Sequence, residues 1–122
     1  MLKVNEIFKG IQGEGKSAGE QRLFVRLSGC TLDCSFCDTS YHRESRELNQ
    51  RDNDKLNDNL FWCLTGGEPL IQQTDLLELI NKYQPFFVEI ETNGTIIPAP
   101  ELTAVVDRWN ISPKERRFQK KQ

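Results

Sequence analysis

At 122 residues the chain holds enough for one domain with a modest core and too little for two. Its 37% hydrophobic and 28% charged residues are the composition of a soluble globular protein, and a net charge of −2 provides no basic field toward nucleic acid or membrane. No apolar run is long enough to span a bilayer, and the start, Met1-Leu2-Lys3-Val4-Asn5-Glu6, lacks the apolar stretch of a signal peptide, so a cytoplasmic location is expected. In that compartment thiols stay reduced, and clustered cysteines point to metal or catalysis rather than disulfides.

Residues 2–8 are expected to form a short strand. Residues 11–20, with Gly13, Gly15 and Gly19, form a loop. Residues 22–28, Arg-Leu-Phe-Val-Arg-Leu-Ser, have strand composition. Residues 29–43 form a cysteine-bearing loop, and the polar stretch 44–59 reads as an exposed loop or a poor helix. Residues 60–65 are a continuous apolar run ended by Gly66-Gly67, the pattern of a strand buried on both faces in a parallel sheet. Over 75–83, Leu76, Leu77, Leu79, Ile80 and Tyr83 fall mainly on one helical face, with Asp75 and Glu78 as a capping box and Pro85 as the stop. Residues 86–92 predict a strand, 101–107 a short helix, and 109–111 a last short strand. This alternation predicts a parallel sheet with crossover helices in a single domain over 1–122. Residues 114–122 form a basic, solvated tail rather than a nucleic-acid contact.

Cys30, Cys34 and Cys37 have the spacing C-x3-C-x2-C on a loop directly after a strand. Three thiolates so placed cap three corners of a cubane iron–sulfur cluster. A structural zinc site needs four closed ligands, and only Cys63 and His42 remain to supply one. Cys63 lies in an apolar strand and reads as a small buried hydrophobe. His42, a lone histidine, reads as a surface residue or hydrogen-bond partner. Three protein ligands leave one iron open for something else. Further along, Thr65-Gly66-Gly67-Glu68-Pro69 joins a backbone open to close approach with a carboxylate able to accept from an ammonium group. Glu91 to Thr95 and Ser112 to Lys114 also end predicted strands. In α/β sheets that carboxyl edge is where ligands bind.

The cysteine spacing, with Phe36 just before the last cysteine, resembles the radical S-adenosylmethionine (SAM) superfamily. Within it, Ile7-Phe8, Ile11-Gln12-Gly13-Glu14-Gly15, Gly19, Phe24 to Cys30 and Cys37-Asp38-Thr39 resemble the amino-terminal signature of the 7-carboxy-7-deazaguanine synthases. Thr65 to Leu70, Glu91 to Thr95 and Ser112 to Lys114 follow in matching order. The resemblance implies a partial (β/α) barrel, shortened at its C-terminal end. It implies a 4Fe-4S cluster on Cys30, Cys34 and Cys37, and SAM held by Phe36, Gly66, Gly67, Glu68, Thr92, Asn93, Ser112 and Lys114. It also implies magnesium on Thr39, and contacts from Gln12, Gly13, Glu14 and Arg26 to a pterin. The implied reaction converts 6-carboxy-5,6,7,8-tetrahydropterin to 7-carboxy-7-deazaguanine, through a SAM-derived radical rather than a catalytic side chain. A flavodoxin- or ferredoxin-type electron donor and a homodimer complete the implied partners. Two features depart from the family pattern: the interval from Tyr41 to Phe61 is short, and members usually continue through two further strands after the Ser112-Pro113-Lys114 segment. A glycyl-radical activating enzyme, a non-catalytic cluster-binding fragment and a small zinc module stand as alternatives.

Overall fold

The computed structural model describes residues 1–29 and 45–112. They form a six-stranded sheet with three α-helices. In chain order the elements are β1 (Lys3–Ile11), β2 (Gln21–Leu27), β3 (Arg46–Glu47), α1 (Gln50–Asp58), β4 (Phe61–Gly66), a 3₁₀ turn (Pro69–Gln72), α2 (Gln73–Tyr83), β5 (Phe87–Thr92), α3 (Pro100–Val105) and β6 (Arg108–Ile111). The spatial order is β3-β1-β2-β4-β5-β6.

The strands β2, β4, β5 and β6 run parallel, as the alternation of strands and helices predicts. The wholly parallel sheet is corrected at the other end: β1 is antiparallel to both β2 and β3. Residues 12–20, between β1 and β2, fall short of the dozen or so that a parallel crossover requires, so the chain turns straight back. The expected α/β class is present as a mixed six-stranded sheet with helices. Among the described residues the sheet is open, with β3 and β6 as its edges.

One face of the sheet carries the apolar core. Val4, Ile7, Leu23, Val25, Leu27, Trp62, Leu64, Val88 and Ile90 from the strands pack with Leu56, Leu76, Leu79, Ile80 and Leu102 from the helices. Period-two alternation puts the intervening residues on the opposite face. Its cross-strand neighbours are Phe24 beside Cys63, Cys63 beside Glu89, and Glu89 beside Arg108; Arg26 lies beside Thr65, and Glu91 beside Asn110. That second face sets charged and polar groups beside aromatic rings.

Two helices differ from expectation. The stretch expected as loop or poor helix holds α1. Asn49 Oδ1 accepts from the Asp52 N–H and Asp52 Oδ2 from the Asn49 N–H, a reciprocal cap that also ties Asp52 to Arg46. Leu56 alone gives this helix its buried apolar anchor, which is why no apolar stripe announces it. The helix expected at 75–83 begins at Gln73, led in by the 3₁₀ turn, and Gln72 caps it without a side-chain bond. Its end is as expected: Gln84 takes a left-handed conformation, donates its N–H to Ile80 O at 2.7 Å, and Pro85 follows.

Candidate active site

The carboxyl ends of β2 and β4 are bound to one another through backbone. Gly67 N–H donates to Leu27 O at 2.9 Å, and Glu68 N–H to Gly29 O at 2.7 Å. Two chains meet so closely that a Cβ on Gly67 would lie 1.6 Å from the Gly29 oxygen, and one on Gly66 2.2 Å from the Leu27 oxygen. Gly66 also sits at φ 120°, which side chains avoid. The glycine pair is therefore required by strand contact, whatever lies against it.

Glu68 completes the junction. It has no solvent exposure. Its carboxylate accepts from the Leu70 N–H at 2.9 Å, the Thr92 hydroxyl at 2.7 Å and the Asn93 N–H at 2.8 Å. Three protein donors make this carboxylate fasten the 3₁₀ turn to the end of β5, beside the ammonium contact expected of it from the sequence. Asn93 Oδ1 in turn accepts from the backbone and hydroxyl of Thr95. Ser112 is exposed and donates its N–H to Thr92 O at 2.9 Å. Gly66, Gly67, Glu68, Thr92, Asn93 and Ser112 thus lie along one edge, as the motif order suggests.

A second group lines a cleft of about 350 Å³ between Phe8, Phe24, Arg26, Thr65, Glu91 and the Gln12–Glu14 segment. Phe8 and Phe24 stack at 5.2 Å and make an aromatic wall. Arg26 lies over Phe8 and donates to the exposed Glu6 at 2.5 Å. Opposite, Glu91 accepts from the Thr65 hydroxyl at 2.8 Å and from Gln12 Nε2 at 3.0 Å. Gly13 and Glu14 are exposed, but Gln12 is buried, and its Oε1 accepts from the Gly13 and Glu14 N–H groups. All four residues expected to meet a pterin therefore gather at one cleft, with the amide of Gln12 already engaged by protein.

Sequence inspection gave no role to Thr65 or Glu91 individually, and passed over Arg22, Glu89 and Asn110. Glu89 is fully buried and accepts from Arg22 Nε at 3.1 Å and Asn110 Nδ2 at 3.3 Å. The signal was present: in Phe87-Val88-Glu89-Ile90-Glu91-Thr92 a carboxylate occupies alternate positions, marking a polar sheet face. Cys63, on the same face, is a free, buried thiol. Burial first, then the charges of Glu91 and Glu89, push its ionisation well above the ordinary thiol range. It is a neutral filler, in keeping with the sequence.

Cys30, Cys34, Cys37, Phe36, Thr39, His42 and Lys114 lie outside the described residues. Among the described residues no group of three ligating side chains is poised for a metal ion. The structure does place the start of the cysteine segment. Gly29, at φ 94°, ends β2's connection at the glycine-lined edge, one residue before Cys30. The backbone of that edge, bare of side chains at Gly66 and Gly67, leaves room for a bulky group to approach.

Residues 11–98 match the family model of the 4Fe-4S single cluster domain. The 7-carboxy-7-deazaguanine synthase of Methanospirillum hungatei is 40% identical over 78% of this chain and 43% of its own length. That of Pyrobaculum aerophilum is 38% identical over 93% and 55%, and that of Bacteroides thetaiotaomicron 40% identical over 94% and 62%. The crystal structure of QueE from Escherichia coli superposes with a TM-score of 0.63 at 27% identity, over 93% of this chain and 60% of that one. The chain spans about half the length of the curated relatives it matches. With identities of this size over most of its length, and the motifs gathered on one sheet edge, the chain belongs to the 7-carboxy-7-deazaguanine synthase family.

Proposed function

We propose that this chain is a radical SAM lyase that converts 6-carboxy-5,6,7,8-tetrahydropterin to 7-carboxy-7-deazaguanine. The observation that carries the proposal is the cleft between the Phe8–Phe24 stack and the Thr65–Glu91 pair, opening beside the glycine-lined edge from which the cysteine segment departs. Cys30, Cys34 and Cys37 hold a 4Fe-4S cluster, and Phe36, Gly66, Gly67, Glu68, Thr92, Asn93, Ser112 and Lys114 hold SAM, Glu68 also fixing the Thr92–Asn93 turn. Thr39 ligates magnesium, which commonly keeps few protein ligands. Bound together, cluster and SAM supply the one-electron chemistry that removes a hydrogen atom from the substrate.

The protein's contribution is orientation. A flat pterin fits against the aromatic wall, and its ring N–H groups find a carboxylate acceptor in Glu91. The guanidinium of Arg26 is shared with an exposed glutamate, so a substrate carboxylate takes its place in the pair at little cost. Gly13 and Glu14, held by Gln12, border the opening. The chain acts as one domain, 1–122, with 114–122 as a basic tail, in the cytoplasm. It is served by a flavodoxin- or ferredoxin-type donor and works as a homodimer. No helix among the described residues is long and apolar enough to cross a membrane.

The test is anaerobic reconstitution with iron and sulfide, then reduction in the presence of SAM and the tetrahydropterin. Carboxydeazaguanine is the expected product. 5′-Deoxyadenosine without it would assign the chain another substrate, and an intact cluster that cleaves no SAM would make it a binding scaffold.

A further inference from the structure

Beneath the cleft, and outside its lining, lies a fully buried ion pair. The side chains of Arg22 and Glu89 are 3% and 0% exposed. Each nitrogen of the Arg22 guanidinium is engaged: Nε with Glu89, Nη1 with Gln21 O, and Nη2 with Ser17 Oγ and Glu20. Its guanidinium also lies 4.8 Å from the centre of the Phe87 ring. Glu89 is thereby held rigidly, and it presents Oε2 to Gln12 Nε2 at 3.4 Å, while Glu91 presents its own Oε2 to the same nitrogen at 3.0 Å.

The Gln12 amide can satisfy this arrangement in one orientation. Its nitrogen faces two carboxylates and, at 3.4 Å, the Cys63 sulfur, all acceptors, so its oxygen faces the other way and receives the Gly13 and Glu14 N–H groups at 2.9 and 3.3 Å. A flipped amide would set its oxygen against both carboxylates and its NH₂ against two N–H donors. The interior charge of Glu89, together with Glu91, therefore sets the orientation of an amide that holds an exposed loop on its far side.

We propose that Glu89 is a positioning residue for the ligand of this cleft: acting through Gln12, it holds the Gly13–Glu14 backbone and Glu91 in place around a pterin-class substrate. The role rests on the function proposed above for its substrate, but its effect on the loop is independent of any ligand. In a Glu89→Gln chain one oxygen and one NH₂ replace a carboxylate that accepts from Arg22, Asn110 and Gln12, so at least one of these bonds is lost.

The test compares wild type, Glu89→Gln, and the paired Arg22→Met/Glu89→Leu chain. The pair removes both charges at similar volume, a change that commonly preserves or raises stability. Hydrogen exchange at the Gly13 and Glu14 amides, read without ligand, is expected to quicken about tenfold in the paired chain and less in Glu89→Gln, whose amide oxygen can replace Oε2 toward Arg22 and Gln12, while exchange in β2, β4 and β5 stays as in wild type. In the reconstituted enzyme, KM for the tetrahydropterin rises about tenfold, and kcat stays within about twofold. If the paired chain melts like wild type and keeps wild-type loop exchange and KM, Glu89 merely fills space and the proposal is overturned. Should Glu89→Gln not fold, the paired chain decides by exchange at Gly13 and Glu14 quickening beyond that at Ala18 and Glu20, whose end of the segment Arg22 holds directly; equal quickening at both ends overturns the proposal. If wild type turns over no pterin yet both variants loosen the loop, the substrate assignment fails and the positioning role stands.

Discussion

Glu68 and Glu89 are glutamates of equal burial on neighbouring parallel segments, and their partners separate them. Glu68 has only uncharged donors: two backbone N–H groups and a hydroxyl. Replacing it with Gln turns one oxygen into a donor facing a donor, so Glu68→Gln is expected to lower unfolding free energy by roughly 2 kcal/mol in urea titration. The sequence marked Glu68 through its glycine neighbours, yet its work as a fastener was hidden because all three donors come from segments after it in the chain. Cys63 was legible in the other sense: an apolar strand on either side gave its burial directly. Its raised ionisation means that alkylation of the folded chain at pH 8 is expected to leave Cys63 unlabelled, as peptide mass spectrometry would show, and to label it on unfolding.

Among the elements, α1 shows how a helix with almost no apolar face is held. The cap at Asn49 and the buried Asp52 with its Arg46 partner lie at its first turn, and Leu56 anchors its far end. Burial raises the Asp52 ionisation, but the Arg46 hydrogen bond, the Asn49 N–H and the charges of Arg46 and Lys55 outweigh it, leaving the carboxyl below its ordinary range. A folded-state value below the unfolded one adds stability that is present above the unfolded value, about 3.9, and is lost as pH falls through the folded value. Wild type is therefore expected to exceed Asp52→Asn in stability at pH 7, with the gap narrowing below about pH 4; denaturant titrations at both pH values measure it. Strand positions were legible from composition because β-branched and aromatic residues cluster in them. The cap was not, since Asn49 and Asp52 are lost among many polar neighbours, and only the fold brings Arg46 to them.

At the scale of the whole molecule, a single backbone junction couples the site to the fold. Gly67 touches Gly29, and Gly29 leads into Cys30, so the junction belongs at once to the sheet and to the cysteine segment. A Gly67→Ala side chain has nowhere to go. The expected loss exceeds about 4 kcal/mol, and any folded fraction should bind less iron per chain on reconstitution, by metal analysis. The parallel half of the sheet was readable from alternating strands and helices. The antiparallel hairpin was not taken from the sequence, although the brevity of residues 12–20 already required it. The same hairpin carries Gln12 to the floor of the cleft, which pattern alone does not reveal because Gln12 is the one buried polar residue in an otherwise exposed run from Ile11 to Lys16.

The hydroxyls of Ser28 and Ser45 sit 2.9 Å apart. The chain leaves the sheet at one and returns at the other, so the two ends of the segment bearing Cys30, Cys34 and Cys37 are held together by the sheet itself. With the ends so held, doubling the segment's length adds only about 0.6 kcal/mol of closure cost. Insertions there are therefore nearly free for the fold, and the segment between the two serines is where such a protein can change what surrounds its cluster while leaving its framework untouched.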